Sequence, residues 1–309
     1  VRLNLADGDI LTLHKGDEPG QDPVPPSAPG GARPGRIACG LPAVVDALQI
    51  GERVFISDGK VSGEVVAKRA DEVDVLITRA GIDGARVKQK KGLNLPDTRL
   101  GLFGLTEKDR EDLKFVVEHA DGVNVSFLQH PDDVEDLLDE LEALGVNDLG
   151  VVLKIETRGA VTHLPGILLA AMEWPCVGVM IARGDLAIEV GWLELAEVIE
   201  EILMLCEAAH IPSIWATEVL DRLAKKGVPA RGEVSDVVMA GRAECIMLNK
   251  GPYITLAIRG LDRVLASLEA YRQKRAVRLP ALRLALPDAS EVGREIGDRQ
   301  GRWEDPTAS

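Results

Sequence analysis

The 309 residues carry a formal net charge of -14, with 46% hydrophobic residues and only 3% aromatics. An acidic chain repels polyanions, so nucleic acid and anionic membrane are excluded as default partners; a local cation or metal can still admit a phosphate-bearing substrate. The hydrophobic share suffices for one large or two ordinary cores, built from Val, Leu, Ile and Ala. The four cysteines, Cys39, Cys176, Cys206 and Cys245, form no CxxC pair, so a zinc site is not expected. Cys176 and Cys245 lie beside apolar runs and read as buried free thiols in a reducing cytoplasm. No apolar run reaches the roughly 18 residues of a membrane span, and no secretory signal opens the sequence.

In chain order, residues 1–97 read as an all-β piece. Short runs at 10–13, 53–57, 61–69 and 72–80 alternate and are punctuated by Asp-Gly at 58–59 and 83–84. Within it, the Pro- and Gly-rich stretch 17–36 reads as an irregular loop. The basic run from Arg86 to Lys91 reads as a solvated hairpin. The character changes at "LTEKD", where Thr106 is placed to cap a helix over 107–119. From there strands at 122–127, 149–156, 177–185, 212–218 and 245–251 alternate with helices at 131–144, 159–172, 193–209, 233–240 and 254–274. Repeated βα units imply a parallel sheet with helices outside and strands buried on both faces. Residues 98–278 therefore form the βα domain, and 279–309 read as a polar tail.

The strand ends carry the chemistry. Functional groups collect at the carboxyl ends of parallel strands. Here the ends bear Ser126; Lys154 and Glu156; Arg183 and Asp185; Thr217 and Glu218; Asn249 and Lys250. In "VVLKIETRG" Lys154 and Glu156 are two apart, so they project to one side of a strand. A structural salt bridge would explain one such end but not five. Glu156 and Asp185 are a sparse pair of hard oxygen ligands, suited to Mg²⁺. Asp185 could equally cap the following helix, whose first-turn N–H groups at Gly184 and Asp185 suit a carboxylate. Lys154 can neutralise charge on a phosphoryl group or an enolate. The Thr217 hydroxyl can donate or relay a proton. His163 and His210 read as surface residues, and His130 alone of the histidines follows a strand end.

The ordered stretches "VSFLQHPDDV", "LKIETRGAV", "MIARGDLAIEVG", "WATEVLDRL", "PARGEVSDVVMAG" and "CIMLNKG" resemble pyruvate kinase. "VFISDGKVSGEV" and "KQKKGLNLP" resemble that family's lid domain, and the likeness covers roughly residues 1–270. The resemblance implies a (β/α)8 TIM-barrel type of α/β fold, present here as a partial barrel of the last five βα units plus the small β lid. It implies transfer of phosphoryl from phosphoenolpyruvate to ADP, giving pyruvate and ATP. Mg²⁺ (or Mn²⁺) and K⁺ are the implied cofactors. Lys154 would stabilise the phosphoryl in flight, Glu156 and Asp185 would hold the divalent metal, and Thr217 would serve enolate protonation. Ala182, Arg183, Gly184 and Asp185 would hold the substrate carboxylate through their backbone, with Ser126 beside the substrate. Asp58 would close from the lid, and Asn249 and Lys250 would lie on the nucleotide side.

Three departures from the family pattern stand out. Five strands cannot close a barrel, so the expected partner is a complementing N-terminal segment, in the same product or in a second chain, or a homo-oligomer. The family's Gly-Glu-Thr turn after the eighth strand is replaced by Asn249-Lys250-Gly251-Pro252. The likeness also ends before any C-terminal regulatory domain, so control by a sugar phosphate is not expected. Gln129 stands where the family carries a basic residue. The alternative reading is a metal-dependent 2-oxo-acid lyase on the same barrel type, and a third is a non-catalytic binding relative.

Overall fold

The computed structural model describes residues 2–25, 31–57, 59–88, 91–98 and 104–269. The chain divides into two compact units, Val1–Leu102 with Gly184–Leu195, and Phe103–Arg183 with Ala196–Ser309.

The first unit contains β1 (Arg2–Leu5), β2 (Ile10–His14), β3 (Gly35–Ala38), α1 (Pro42–Ala47), β4 (Arg53–Ile56), β5 (Val61–Lys68), β6 (Glu72–Arg79), β7 (Ala85–Lys88) and β8 (Leu93–Asn94). Six of these strands form one sheet in the order β3-β2-β6-β5-β4-β8, and β1 pairs antiparallel with β7. Alternation decides which face is inside. Val61 and Val65 on β5 and Val73, Val75 and Ile77 on β6 are buried, with Leu3, Leu5, Leu11, Leu13, Val45 and Leu48 completing the core. No aromatic residue enters that cluster, whereas Trp174 and Trp215 are buried in the βα unit. At Gly63 the β5–β6 register shifts, and a Cβ there would meet Val75 Cγ1 at 2.5 Å, so the irregular pairing needs glycine.

The βα unit opens with α2 (Glu107–His119), β9 (Gly122–Val125), α3 (Pro131–Ala143), β10 (Gly150–Ile155), α4 (Arg158–Thr162), α5 (Leu164–Ala171) and β11 (Val177–Ala182). After β11 the chain forms α6 (Arg183–Val190), which from Gly184 onward belongs to the first unit, and the βα unit resumes through α7 (Leu195–Ala209), β12 (Ser213–Ala216), α8 (Asp221–Lys226), α9 (Arg231–Ala240), β13 (Cys245–Ile246) and α10 (Ile254–Glu269). All five strands are parallel, in the order β13-β12-β11-β10-β9, forming a curled half-barrel sheet of TIM-barrel type. Thr106 caps α2 as its sequence predicts: its Oγ1 accepts from Asp109 N at 3.1 Å, while Asp109 Oδ2 accepts from Thr106 N at 3.0 Å. Leu153 and Ile155 of β10 are fully buried, each worth about 1.5–3 kcal/mol of hydrophobic stabilisation. No helix among the described residues is long and apolar enough to cross a membrane.

The structure corrects several expectations. Strands buried on both faces describe β11 but not β10, whose second face is only half-buried at Val152 and Lys154, nor β9, where Val123 and Val125 are half-buried and Gly122 and Asn124 are exposed; a half-barrel encloses its inner face less than a closed one. The β piece contains a helix, α1, because Pro42 fixes its first turn and Val44, Val45 and Leu48 recur at helical spacing onto the core. The helix expected over 159–172 breaks at His163, ahead of Pro165, into α4 and α5. His163 is exposed as its sequence predicts, with its Nδ1 2.9 Å from Gln129 O. Both arms of the 17–36 stretch pair with each other, Val24 N donating to Arg33 O at 2.8 Å and Gln21 N to Arg36 O at 2.8 Å. In the basic run, Arg86–Lys88 lie in β7, whereas Gln89 and Lys90 fall outside the described residues.

The cysteines are also redistributed. Cys176 and Cys245 are exposed, and Cys39 and Cys206 are buried. Burial pushes the Cys206 thiol up to about 12, with the nearby Glu244 charge adding to it. Alkylation of the native protein at pH 8 is therefore expected to label Cys176 and Cys245 and to spare Cys39 and Cys206 until denaturant is added. Peptide mass mapping checks this, and rapid native labelling of Cys206 would contradict it.

Candidate active site

The carboxyl ends of β9 and β10 meet through a short set of polar contacts. Lys154 is the penultimate residue of β10, and Glu156 follows its last. Period-two alternation sends both to the side opposite buried Leu153 and Ile155. The Lys154 ammonium donates to Ser126 Oγ at 2.9 Å and to Glu156 Oε1 at 3.1 Å, and it lies 2.9 Å from Glu156 Oε2. Glu156 Oε1 also accepts from the Phe127 N–H at 2.9 Å. Phe127 itself lies in the left-handed region at φ 58°, an uncommon conformation for a residue with a large side chain. Thr157 locks the two strand ends together, its Oγ1 accepting from Ala160 N at 3.0 Å and donating to Leu128 O at 2.5 Å.

The Glu156 side chain has 0% exposure and Lys154 22%. The contact to Glu156 Oε2 is ionic without hydrogen-bond alignment, and that buried oxygen has no hydrogen-bond partner. A buried carboxylate oxygen without a hydrogen bond is costly unless a cation meets it. Among the described residues no group of three or more His, Cys, Asp or Glu side chains gathers as a ready-made metal cage. Glu156 by itself offers one hard carboxylate oxygen, the donor type Mg²⁺ takes when water and substrate oxygens fill its other positions.

A second group forms at the ends of β11 and β12. Arg183 follows β11 directly and sends its guanidinium back to Ala216 O, Thr217 O and Asp236. Thr217 is half-buried just beyond β12, with φ 68°. The Arg183 side chain is thus engaged within the protein. Ala182 is buried at the end of β11. Gly184 and Asp185 lie in the first turn of α6 and belong to the first unit. There Asp185 Oδ1 accepts from Asn94 Nδ2 at 3.0 Å.

On β13's side, Asn249 Nδ2 donates to Asp221 Oδ1 at 2.9 Å. That bond and the Lys225 ammonium hold the Asp221 carboxyl below the usual range. A Cβ on Gly251 would sit 2.2 Å from Ala224 O, so this turn packs on the backbone of α8. Lys250 is exposed. Asp58 falls outside the described residues. His130 serves as N-cap of α3, accepting from Asp132 N. Sequence reasoning missed Phe127, Asn94 and Asp236. All three sit inside stretches carrying the family resemblance, but their partners are 29, 91 and 53 residues away, beyond any local period.

The family model for the barrel domain of pyruvate kinase matches residues 27–253. The chain belongs to the pyruvate kinase family. It is 30% identical over 253 residues to a pyruvate kinase of Geobacillus stearothermophilus, covering 79% of this chain and 42% of that protein. It is 33% identical over 226 residues to a pyruvate kinase of Mycobacterium tuberculosis, covering 71% and 46%. It is 34% identical over 208 residues to the plastidial pyruvate kinase 3 of Arabidopsis thaliana, covering 66% and 35%. The chain thus spans less than half the length of these relatives. Every candidate residue from Asp58 to Lys250 falls inside the span matched to the family.

Proposed function

We propose that the chain carries the phosphoryl-transfer residues of a pyruvate kinase, acting on phosphoenolpyruvate and ADP to give pyruvate and ATP. The observation that carries this reading is the Ser126–Lys154–Glu156 cluster, a fixed cation held against a buried carboxylate with one oxygen lacking a hydrogen bond. The phosphoryl group leaves the enol oxygen of phosphoenolpyruvate and bonds to a terminal oxygen of ADP, and the resulting enolate takes a proton at carbon 3. Lys154, oriented by Ser126 and Glu156, neutralises charge on the moving phosphoryl and on the enolate oxygen. Glu156 is the ligand for Mg²⁺ or Mn²⁺, with Asp185 as the second carboxylate the resemblance implies. When bound, that cation supplies Lewis-acid neutralisation of phosphoryl and enolate oxygens. The backbone of Ala182–Asp185 holds the substrate carboxylate, Ser126 flanks the substrate, Thr217 delivers the proton, and Asp58 closes from the lid. K⁺ is the monovalent cofactor of this reading. The setting is cytoplasmic, and the working form is a homo-oligomer or one complemented by an N-terminal segment.

One observation favours a second reading. Asn249 is engaged by Asp221 rather than displayed for a nucleotide, which suits a metal-dependent 2-oxo-acid lyase.

The test is calorimetric, on the protein from its complete open reading frame. Oxalate, a planar stand-in for the enolate, is expected to bind only after Mn²⁺ is added, and Mg·ADP is expected to bind saturably. Failure of Mn²⁺-dependent oxalate binding would overturn both enzyme readings. Oxalate binding with no Mg·ADP binding would replace the kinase with the lyase.

A further inference from the structure

Four hydrogen bonds hold the guanidinium of Arg183. Its Nε donates to Ala216 O at 2.9 Å, and Nη2 donates to Thr217 O. Nη1 meets Asp236 Oδ1 at 2.6 Å and Nη2 meets Asp236 Oδ2 at 3.0 Å, a fork-on-carboxylate pair. One face of the guanidinium rests on the Trp215 ring, 4.6 Å from its centroid. Side-chain exposures of 16% for Arg183 and 23% for Asp236 keep the pair largely out of water.

The segment so held is strained. Thr217, Glu218 and Leu220 have φ of 68°, 58° and 48°. Left-handed backbone costs non-glycine residues roughly 1–3 kcal/mol each and persists only where surroundings over-determine it; for β-branched threonine it is an outlier. The carbonyls on either side of the Ala216–Thr217 junction are the ones Arg183 takes. Asp236, projecting from α9, fixes the plane of the guanidinium that takes them.

We propose that Arg183 and Asp236 are positioning residues, a clamp that holds the left-handed Thr217–Glu218 turn and thereby sets the presentation of the Thr217 hydroxyl. This rests on the reading above in which Thr217 serves proton transfer at carbon 3. Neither Arg183 nor Asp236 acts on substrate through its side chain. Lysine cannot replace the arginine, because one ammonium cannot satisfy two carbonyls and a bidentate carboxylate in that planar arrangement.

The test measures deuterium incorporation at carbon 3 of pyruvate in D₂O, per folded molecule, beside Mn²⁺-dependent oxalate affinity. Arg183→Lys and Asp236→Asn are each expected to slow exchange by ten-fold or more, and in Asp236→Asn, which lies outside the substrate-binding turn, oxalate affinity is expected to change less than two-fold. Adding Glu218→Gly to Arg183→Lys, so that the turn no longer opposes its own φ, is expected to recover part of the rate. Exchange at the wild-type rate in Arg183→Lys, or no rescue by Glu218→Gly, would overturn the clamp. No exchange by the wild type, with oxalate binding intact, would overturn the role of Thr217 and the clamp with it. Loss of wild-type oxalate binding as well marks failure of the functional reading itself.

Discussion

Lys154→Met is expected to lower phosphoryl transfer at least about a hundred-fold, the scale of losing one preorganised electrostatic donor. The same change is expected to cost the fold about 3 kcal/mol, because it strands a buried carboxylate. Both effects follow from one geometry. Glu156 has no exposed side-chain surface, and the ammonium 2.9 Å away is the cation that meets it. Methionine fills the volume but supplies neither charge nor hydrogen-bond donor. Urea unfolding reads the stability loss, and turnover at saturating phosphoenolpyruvate reads the chemical one. Adding Glu156→Gln to Lys154→Met removes the stranded charge, so stability should partly return while turnover does not. Divalent binding should not weaken in the single variant, since the residue lost is a cation. Full turnover in Lys154→Met would remove Lys154 from the chemistry.

Glu156→Gln has the second-largest expected effect. Glutamine is close to isosteric and can still accept from Phe127 N through its carbonyl oxygen. Its amide nitrogen then takes the place of Oε2 and faces the Lys154 ammonium, two donors within 2.9 Å. Flipping the amide would instead leave the Phe127 N–H without its acceptor. Either orientation leaves one buried group unsatisfied, costing about 1–3 kcal/mol. The larger consequence is at the metal, where a charged oxygen ligand is lost. Mn²⁺ affinity, followed by electron paramagnetic resonance of the free ion, should fall by at least roughly ten-fold. An unchanged Mn²⁺ titration would take Glu156 off the ligand set.

These two residues were legible in the sequence because their relation is local. Two positions apart on a strand places Lys154 and Glu156 on one side, and the structure puts them in contact. The Thr106 cap and the five parallel strands were readable for the same reason, since caps and periods act over a few residues. What the sequence concealed depends on pairings between distant segments. Arg183 reads as a polar strand end whose backbone holds the substrate carboxylate, and nothing local shows that its guanidinium is taken by carbonyls and a carboxylate 33 to 53 residues on. Asp185 reads as a helix cap or a ligand, and its bond to Asn94 bridges 91 residues. Asn249 reads as a nucleotide-side residue, and Asp221 engages it. The left-handed turn at Thr217 carries no glycine to announce it. Its strain becomes intelligible only once the Arg183 clamp is seen.

The most direct measurement follows phosphorus itself. The protein from its complete open reading frame is incubated with phosphoenolpyruvate, ADP, Mg²⁺ and K⁺, and ³¹P nuclear magnetic resonance records where the phosphoryl goes. The phosphoenolpyruvate signal is expected to be replaced by the γ-phosphate of ATP, one for one with pyruvate, and Lys154→Met is expected to slow that transfer at least about a hundred-fold. Persistence of phosphoenolpyruvate while Mn²⁺ and oxalate still bind, or its conversion to inorganic phosphate with ADP untouched, would contradict it.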